Sequence, residues 1–181
     1  MGIVYSYCAP VRECKVVVMG LDKGGKTSIV HWILEGKGPE EEPQPTYSFN
    51  YHECKKNGYK IRLFDIGGTD RKTTFWRHFL AGVTALIYVI DSTNLPRLSE
   101  AKEQLHQIFS FEEMNGVRTL IMANKLDLQT KKICKVASVD LIRKELGLDS
   151  SLHEWCIEPC SAATGYGIND GLRWLLSGAR T

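Results

Sequence analysis

A chain of 181 residues with 43% hydrophobic and 24% charged residues has the ordinary balance of one globular domain, which excludes both a disordered chain and a membrane-embedded one. Its net charge of +2 is spread without a basic stripe, so no nucleic-acid partner is expected. The six cysteines form no Cys-x-x-Cys pair, no cleavable signal peptide opens the sequence, and the five histidines lack metal-ligand spacing, which together read as a cytosolic chain with free thiols and no transition-metal centre.

In chain order, "CKVVVMG" predicts a strand buried on both faces and starting near Cys14, because it is short, apolar and β-branched. "KTSIVHWILEG" predicts a helix that stops at Gly36. The following "GKGPEEEPQP" is rich in Gly, Pro and Glu and predicts a mobile, exposed loop. Tyr47, Phe49 and Tyr51 alternate with polar residues, as do Tyr59, Ile61 and Leu63, so both runs predict half-buried strands. Between them Asn57-Gly58 favours a tight turn, which makes the pair antiparallel.

Further along, "TALIYVID" and "RTLIMAN" predict two more buried strands, separated by a helix "LSEAKEQLHQIF" with Leu98, Leu105 and Ile108 on one face. "SVDLIRKELG" predicts a helix capped by Ser138 and ended at Gly147, and "GINDGLRWLLSG" predicts a final helix. The layout is a doubly wound α/β fold whose sheet is mixed, with an antiparallel edge.

"GLDKGGKT", Gly20 to Thr27, has the spacing of a phosphate-binding loop and lies between a predicted strand and a predicted helix. Gly20 and Gly25 let the backbone curl so that N–H groups face a β-phosphate, with the phosphate set running through Asp22, Lys23, Gly24, Gly25, Lys26, Thr27 and Ser28. Lys26 adds charge and Thr27 offers a hydroxyl to Mg2+. Lys23 either adds charge near the phosphates or points to solvent.

The loop alone leaves the base unread, and a kinase or an ATPase would use it equally well. "NKLD", Asn124 to Asp127, follows the strand "TLIMA" directly. A carboxylate at Asp127 can accept from both N1–H and the exocyclic amine of guanine, a donor pair that adenine lacks. Asn124 would brace the loop and reach N7, Lys125 would lay its stem over the ring, and "CSA" would offer a backbone N–H to O6 through Ser161 and Ala162. A small nucleotide kinase stays as an alternative reading, but it would want an acceptor site and a lid.

The order of phosphate loop, "PT" at Pro45 and Thr46, "DIGG" at Asp65 to Gly68, "NKLD" and "CSA" resembles the Ras-like small GTPases. More narrowly, "GLDKGGKT", "PTYSFN", "DIGGTD" and "FWRHF" resemble the Arf and Arf-like family over nearly the whole chain. The resemblance implies a P-loop NTPase fold, a Ras-like mixed six-stranded sheet with helices on both faces, with GTP or GDP and Mg2+ as cofactors. It implies that Thr46 reaches Mg2+ when GTP is bound, that Asp65 holds the metal through water, and that Gly68 touches the γ-phosphate. The hairpin from Tyr47 to Asp65 would be the family's interswitch, which slides in register between nucleotide states. Its aromatics also suit plain edge-strand packing.

Family members carry a glutamine after the two glycines to orient the attacking water, and here that position is Thr69. Its hydroxyl is too short for that role, so slow intrinsic hydrolysis is expected unless a partner supplies the missing group. Two readings stay open: a hydrolysing switch reset by an activating protein, and a GTP-binding interaction module switched by nucleotide exchange with little or no hydrolysis. Residues 1–13 are read as a membrane-interacting segment and 14–181 as the GTPase domain. "MGIVYS" fits an N-myristoylation pattern at Gly2, and Cys8 offers a second, palmitoyl anchor or an unmodified thiol. Ile3, Val4, Tyr5 and Tyr7 would insert beside the lipid or pack on the domain. The expected life of the chain is that of a cytoplasmic monomer that associates reversibly with intracellular membranes such as the Golgi. It would serve vesicle traffic there, together with an exchange factor, an activating protein and effectors.

Overall fold

The computed structural model describes residues 12–68, 73–130 and 134–178. The strands are β1 (Arg12–Met19), β2 (Phe49–Lys56), β3 (Tyr59–Ile66), β4 (Ala85–Asp91), β5 (Arg118–Asn124) and β6 (Trp155–Pro159), and they form one six-stranded sheet in the order β2-β3-β1-β4-β5-β6. Only the β2–β3 pair is antiparallel, while β1 runs parallel to β3 and β4, β4 to β5, and β5 to β6. The hairpin turn holds Asn57 at φ 52 and Gly58 at φ 80, the doubly left-handed backbone that matches the twist of the flanking strands. The carboxyl ends of the five mutually parallel strands therefore share one edge, and the loops that follow them meet there.

Helices cover both faces. On one side α2 (Thr73–Leu80), α3 (Leu98–Phe109) and α5 (Val139–Leu146) bury Trp76, Leu80, Leu98, Leu105, Ile142 and Leu146 against Val17, Met19 and Tyr88. On the other, α1 (Lys26–Glu35) and α6 (Ile168–Ser177) bury Ile29, Ile33, Leu172 and Leu175 against Val16, Val18 and Leu120. The alternation within "VVVM" thus feeds two separate cores, as a strand covered on both faces requires. A short α4 (Asp127–Thr130) follows β5.

Several expectations meet the structure directly. Gly36 and Gly147 end their helices in left-handed conformations, and the Ser138 hydroxyl accepts from the Leu141 N–H. Residues 36–45 form no helix or strand. Among the described residues no helix is long and apolar enough to cross a membrane.

Other expectations are corrected. β1 starts at Arg12 rather than near Cys14, because its first residues pair with Tyr59 and Lys60 and the Arg12 guanidinium donates to the Tyr59 hydroxyl at 3.3 Å. Tyr47 lies outside β2, which begins at Phe49. β2 does alternate between exposed and partly buried residues, but its partly buried face is that of His52, Cys54 and Lys56, while Phe49 is 43% and Tyr51 46% exposed. As the outermost strand it is only partly covered, and its rings lean on Phe64 of β3 and on Phe79 of α2.

Candidate functional site

The loop between β1 and α1 is shaped by glycines that admit no substitute. At Gly20, φ is +134 and a Cβ would come within 2.2 Å of the Val89 carbonyl oxygen. At Gly25, φ is +90 and a Cβ would fall 2.3 Å from Asn124 Nδ2. No side chain caps α1, so its positive end is open to an anion. Gly24 is buried under the loop, Ser28 is half-buried in the first turn of α1, and Lys23 adopts φ 60 with its side chain exposed to solvent.

Lys26 is 6% exposed and donates from Nζ to the Leu21 carbonyl at 3.0 Å, so its ammonium is folded back onto the loop it serves. Burial lowers its pKa, and the carboxylates of Asp65 and Asp22 oppose that shift. The Asp22 carboxylate is in turn held below its ordinary pKa by a hydrogen bond from Arg97.

Three oxygen donors gather at the amino end of α1. The Thr27 hydroxyl donates to Asp65 Oδ2 at 2.8 Å and lies 3.2 Å from the Thr46 hydroxyl. Asp65 is fully buried, and its Oδ1 has no hydrogen-bond partner among the described residues. Burial raises its pKa, against the hydrogen bond from Thr27 and the charge of Lys26. A buried carboxylate oxygen left unsatisfied beside two hydroxyls is a hard donor set, and it suits Mg2+ bound through few protein ligands and water. Gly67 and Gly68 continue from Asp65 in close quarters: a Cβ on Gly68 would sit 2.3 Å from the Asp22 nitrogen.

At the base end, Asn124 straps the loops together. Its Nδ2 donates to the Gly24 carbonyl at 2.8 Å, and its Oδ1 accepts from the Ala162 N–H at 2.8 Å. Asp127 accepts from the Ser161 hydroxyl at 2.7 Å, and Lys125, at φ 73, donates to Asp91 at 2.6 Å. The Ser161 N–H donates to the Tyr166 carbonyl at 3.0 Å, which closes the loop after β6 on itself.

The site thus brings together Lys26, Thr27, Thr46, Asp65 and Gly68 at one end and Asn124, Lys125, Asp127, Ser161 and Ala162 at the other. Thr69, Gly2, Cys8 and the apolar residues Ile3, Val4, Tyr5 and Tyr7 lie outside the described residues. Two contributors escape sequence reasoning. Arg97, in the turn after β4, donates from Nη2 to Asp22 Oδ1 at 2.7 Å, and Trp32 on α1 donates from Nε1 to the Ala162 carbonyl at 2.8 Å. Their partners lie 75 and 130 residues away, and no local pattern marks such contacts.

The sequence model of the ADP-ribosylation factor family matches residues 2–179. The fold is similar to a solved structure of the Arl6 BBS3 small GTPase from Trypanosoma brucei with bound nucleotide analogue GppNp, with a TM-score of 0.79 and 25% sequence identity over 91% of this chain and 96% of that one.

Proposed function

Because the chain belongs to the ADP-ribosylation factor family of GTP-binding switches, we propose that it cycles between GDP and GTP forms with slow intrinsic hydrolysis and recruits effectors at membranes. The observation that carries the nucleotide reading is the meeting of Thr27, Thr46 and the unsatisfied Asp65 carboxylate beside an uncapped helix start. Bound Mg2+ would neutralise phosphate charge there. Thr27 and Thr46 would ligate it, Asp65 would hold its water, and Lys26 would turn from the Leu21 carbonyl toward the phosphates. Asp127 would select guanine, and the Ala162 N–H would share its bond to Asn124 with guanine O6.

The rings of Phe49, Tyr51, Phe64 and Phe79 form a contiguous aromatic surface on the hairpin and α2, with Phe49 and Phe79 centroids 4.8 Å apart. Such a patch suits an effector protein. In this reading Gly2 carries a myristoyl group and Cys8 a second lipid, which would place the GTP form on intracellular membranes in vesicle traffic.

Single-turnover release of γ-phosphate tests the hydrolytic part, for the wild type and Thr69→Gln, with and without a candidate activating protein. Slow wild-type release that Thr69→Gln accelerates is expected. Fast unassisted wild-type release rules out the slow switch, and no release from any form leaves a module driven by nucleotide exchange alone.

A further inference from the structure

Arg97 does more than brace the phosphate loop. Its Nη2 donates to Asp22 Oδ1 at 2.7 Å and its Nη1 to the Asp22 carbonyl at 3.3 Å, while its Nε donates to Glu100 Oε2 at 2.8 Å. The Arg97 and Asp22 side chains are 28% and 34% exposed, and both line a cavity of about 140 Å³ between the loop, the end of β4 and the start of α3. The pair is therefore held in place while water still reaches it.

The position of Asp22 makes this contact consequential. The Leu21–Asp22 peptide packs directly against Gly68, since a Cβ there would stand 2.3 Å from the Asp22 nitrogen and 2.6 Å from the Leu21 carbonyl carbon. Gly68 is the residue that the family resemblance assigns to the γ-phosphate, so the Asp22 main chain lines the terminal-phosphate site, and its carboxylate, turned toward Arg97, stands one side chain's length behind that wall. Its charge also acts on Lys26 in the same loop. A triphosphate brings more negative charge to that wall than a diphosphate does. A free carboxylate there would repel the triphosphate selectively.

We propose that Arg97 sets the preference for GTP over GDP by neutralising the Asp22 carboxylate beside the terminal-phosphate site. This rests on the guanine-nucleotide reading and adds a specificity-determining residue outside every motif in the sequence. Arg97 touches neither nucleotide in this scheme; it acts through Asp22.

The test measures Kd for fluorescent GDP and fluorescent GppNp, both with Mg2+, on the full chain. Arg97→Ala is expected to weaken GppNp about fivefold or more relative to GDP, an effect that shrinks at 1 M salt, where the Debye length falls to about 3 Å. The double variant Arg97→Ala with Asp22→Asn removes both charges and is expected to restore the wild-type ratio within about twofold. Equal weakening of both nucleotides by Arg97→Ala, or a ratio that the double variant does not restore, overturns the proposal. Should Arg97→Ala fail to fold, Asp22→Asn alone decides: it is expected to favour GppNp, and an unchanged ratio overturns the idea. A wild type that binds neither nucleotide is a different result, which defeats the guanine-nucleotide reading itself.

Discussion

Asp65 concentrates the logic of the site in one residue. It is fully buried, its pKa is raised by that burial, and one oxygen lacks a partner among the described residues. A charge so placed is costly unless something cationic shares it. Asp65→Asn keeps the size of the side chain and an acceptor for Thr27 while removing the charge. GDP release followed by fluorescence is expected to accelerate about tenfold or more in this variant, the usual scale for losing an outer-sphere support of a metal, and to lose its response to EDTA. A variant that releases GDP slowly and still responds to EDTA would remove Asp65 from the metal's support. Lys26, Thr27 and Asp127 are legible in the sequence because they sit in short local motifs. Arg97 and Trp32 are not, because their roles come from contacts made only when distant segments fold together.

At the scale of elements, the hairpin is the clearest signal in the sequence and also the most instructive misreading. Asn57-Gly58 announces the turn through backbone tolerance alone, and the structure gives both residues positive φ. The alternating aromatics announce a strand but not its exposure, since alternation cannot tell which face of an edge strand is the covered one. α2, "TTFWRHFL", sets the polar pairs Thr73-Thr74 and Arg77-His78 against the apolar pairs Phe75-Trp76 and Phe79-Leu80, an amphipathic helical pattern only two turns long, whereas β6, "WCIEP", is five residues ending in proline and carries no strong local signal. The turn itself yields a graded expectation. A Cβ at Gly58 meets nothing within 4 Å, so Gly58→Ala incurs only the strain of a left-handed backbone, about 1 kcal/mol. Urea unfolding should show that loss with GDP affinity unchanged. Gly20→Ala adds a backbone collision to the same strain, and a Gly20→Ala protein that binds GDP like the wild type would contradict the loop geometry.

For the whole molecule, the sheet divides the interior into two cores that share no residue, and the site sits at the strand ends where the loops from both sides meet. Leu105 belongs to one core and Leu172 to the other, both essentially buried. Leu105→Ala and Leu172→Ala are each expected to cost about 2–5 kcal/mol and to add within about 0.5 kcal/mol when combined, because the sheet stands between them. Ligand stabilisation should behave differently. Asn124 ties the phosphate loop to the loop after β6, and Arg97 ties it to the turn before α3, so a nucleotide held by these loops is supported from both layers at once. Mg2+ and GDP at a hundredfold excess over Kd should then stabilise the wild type and each core variant by the same amount, about 2.7 kcal/mol. Urea titrations of the three proteins, with and without Mg2+ and GDP, measure this. A variant in one layer that loses the ligand increment while the other keeps it would show that the nucleotide leans on a single core.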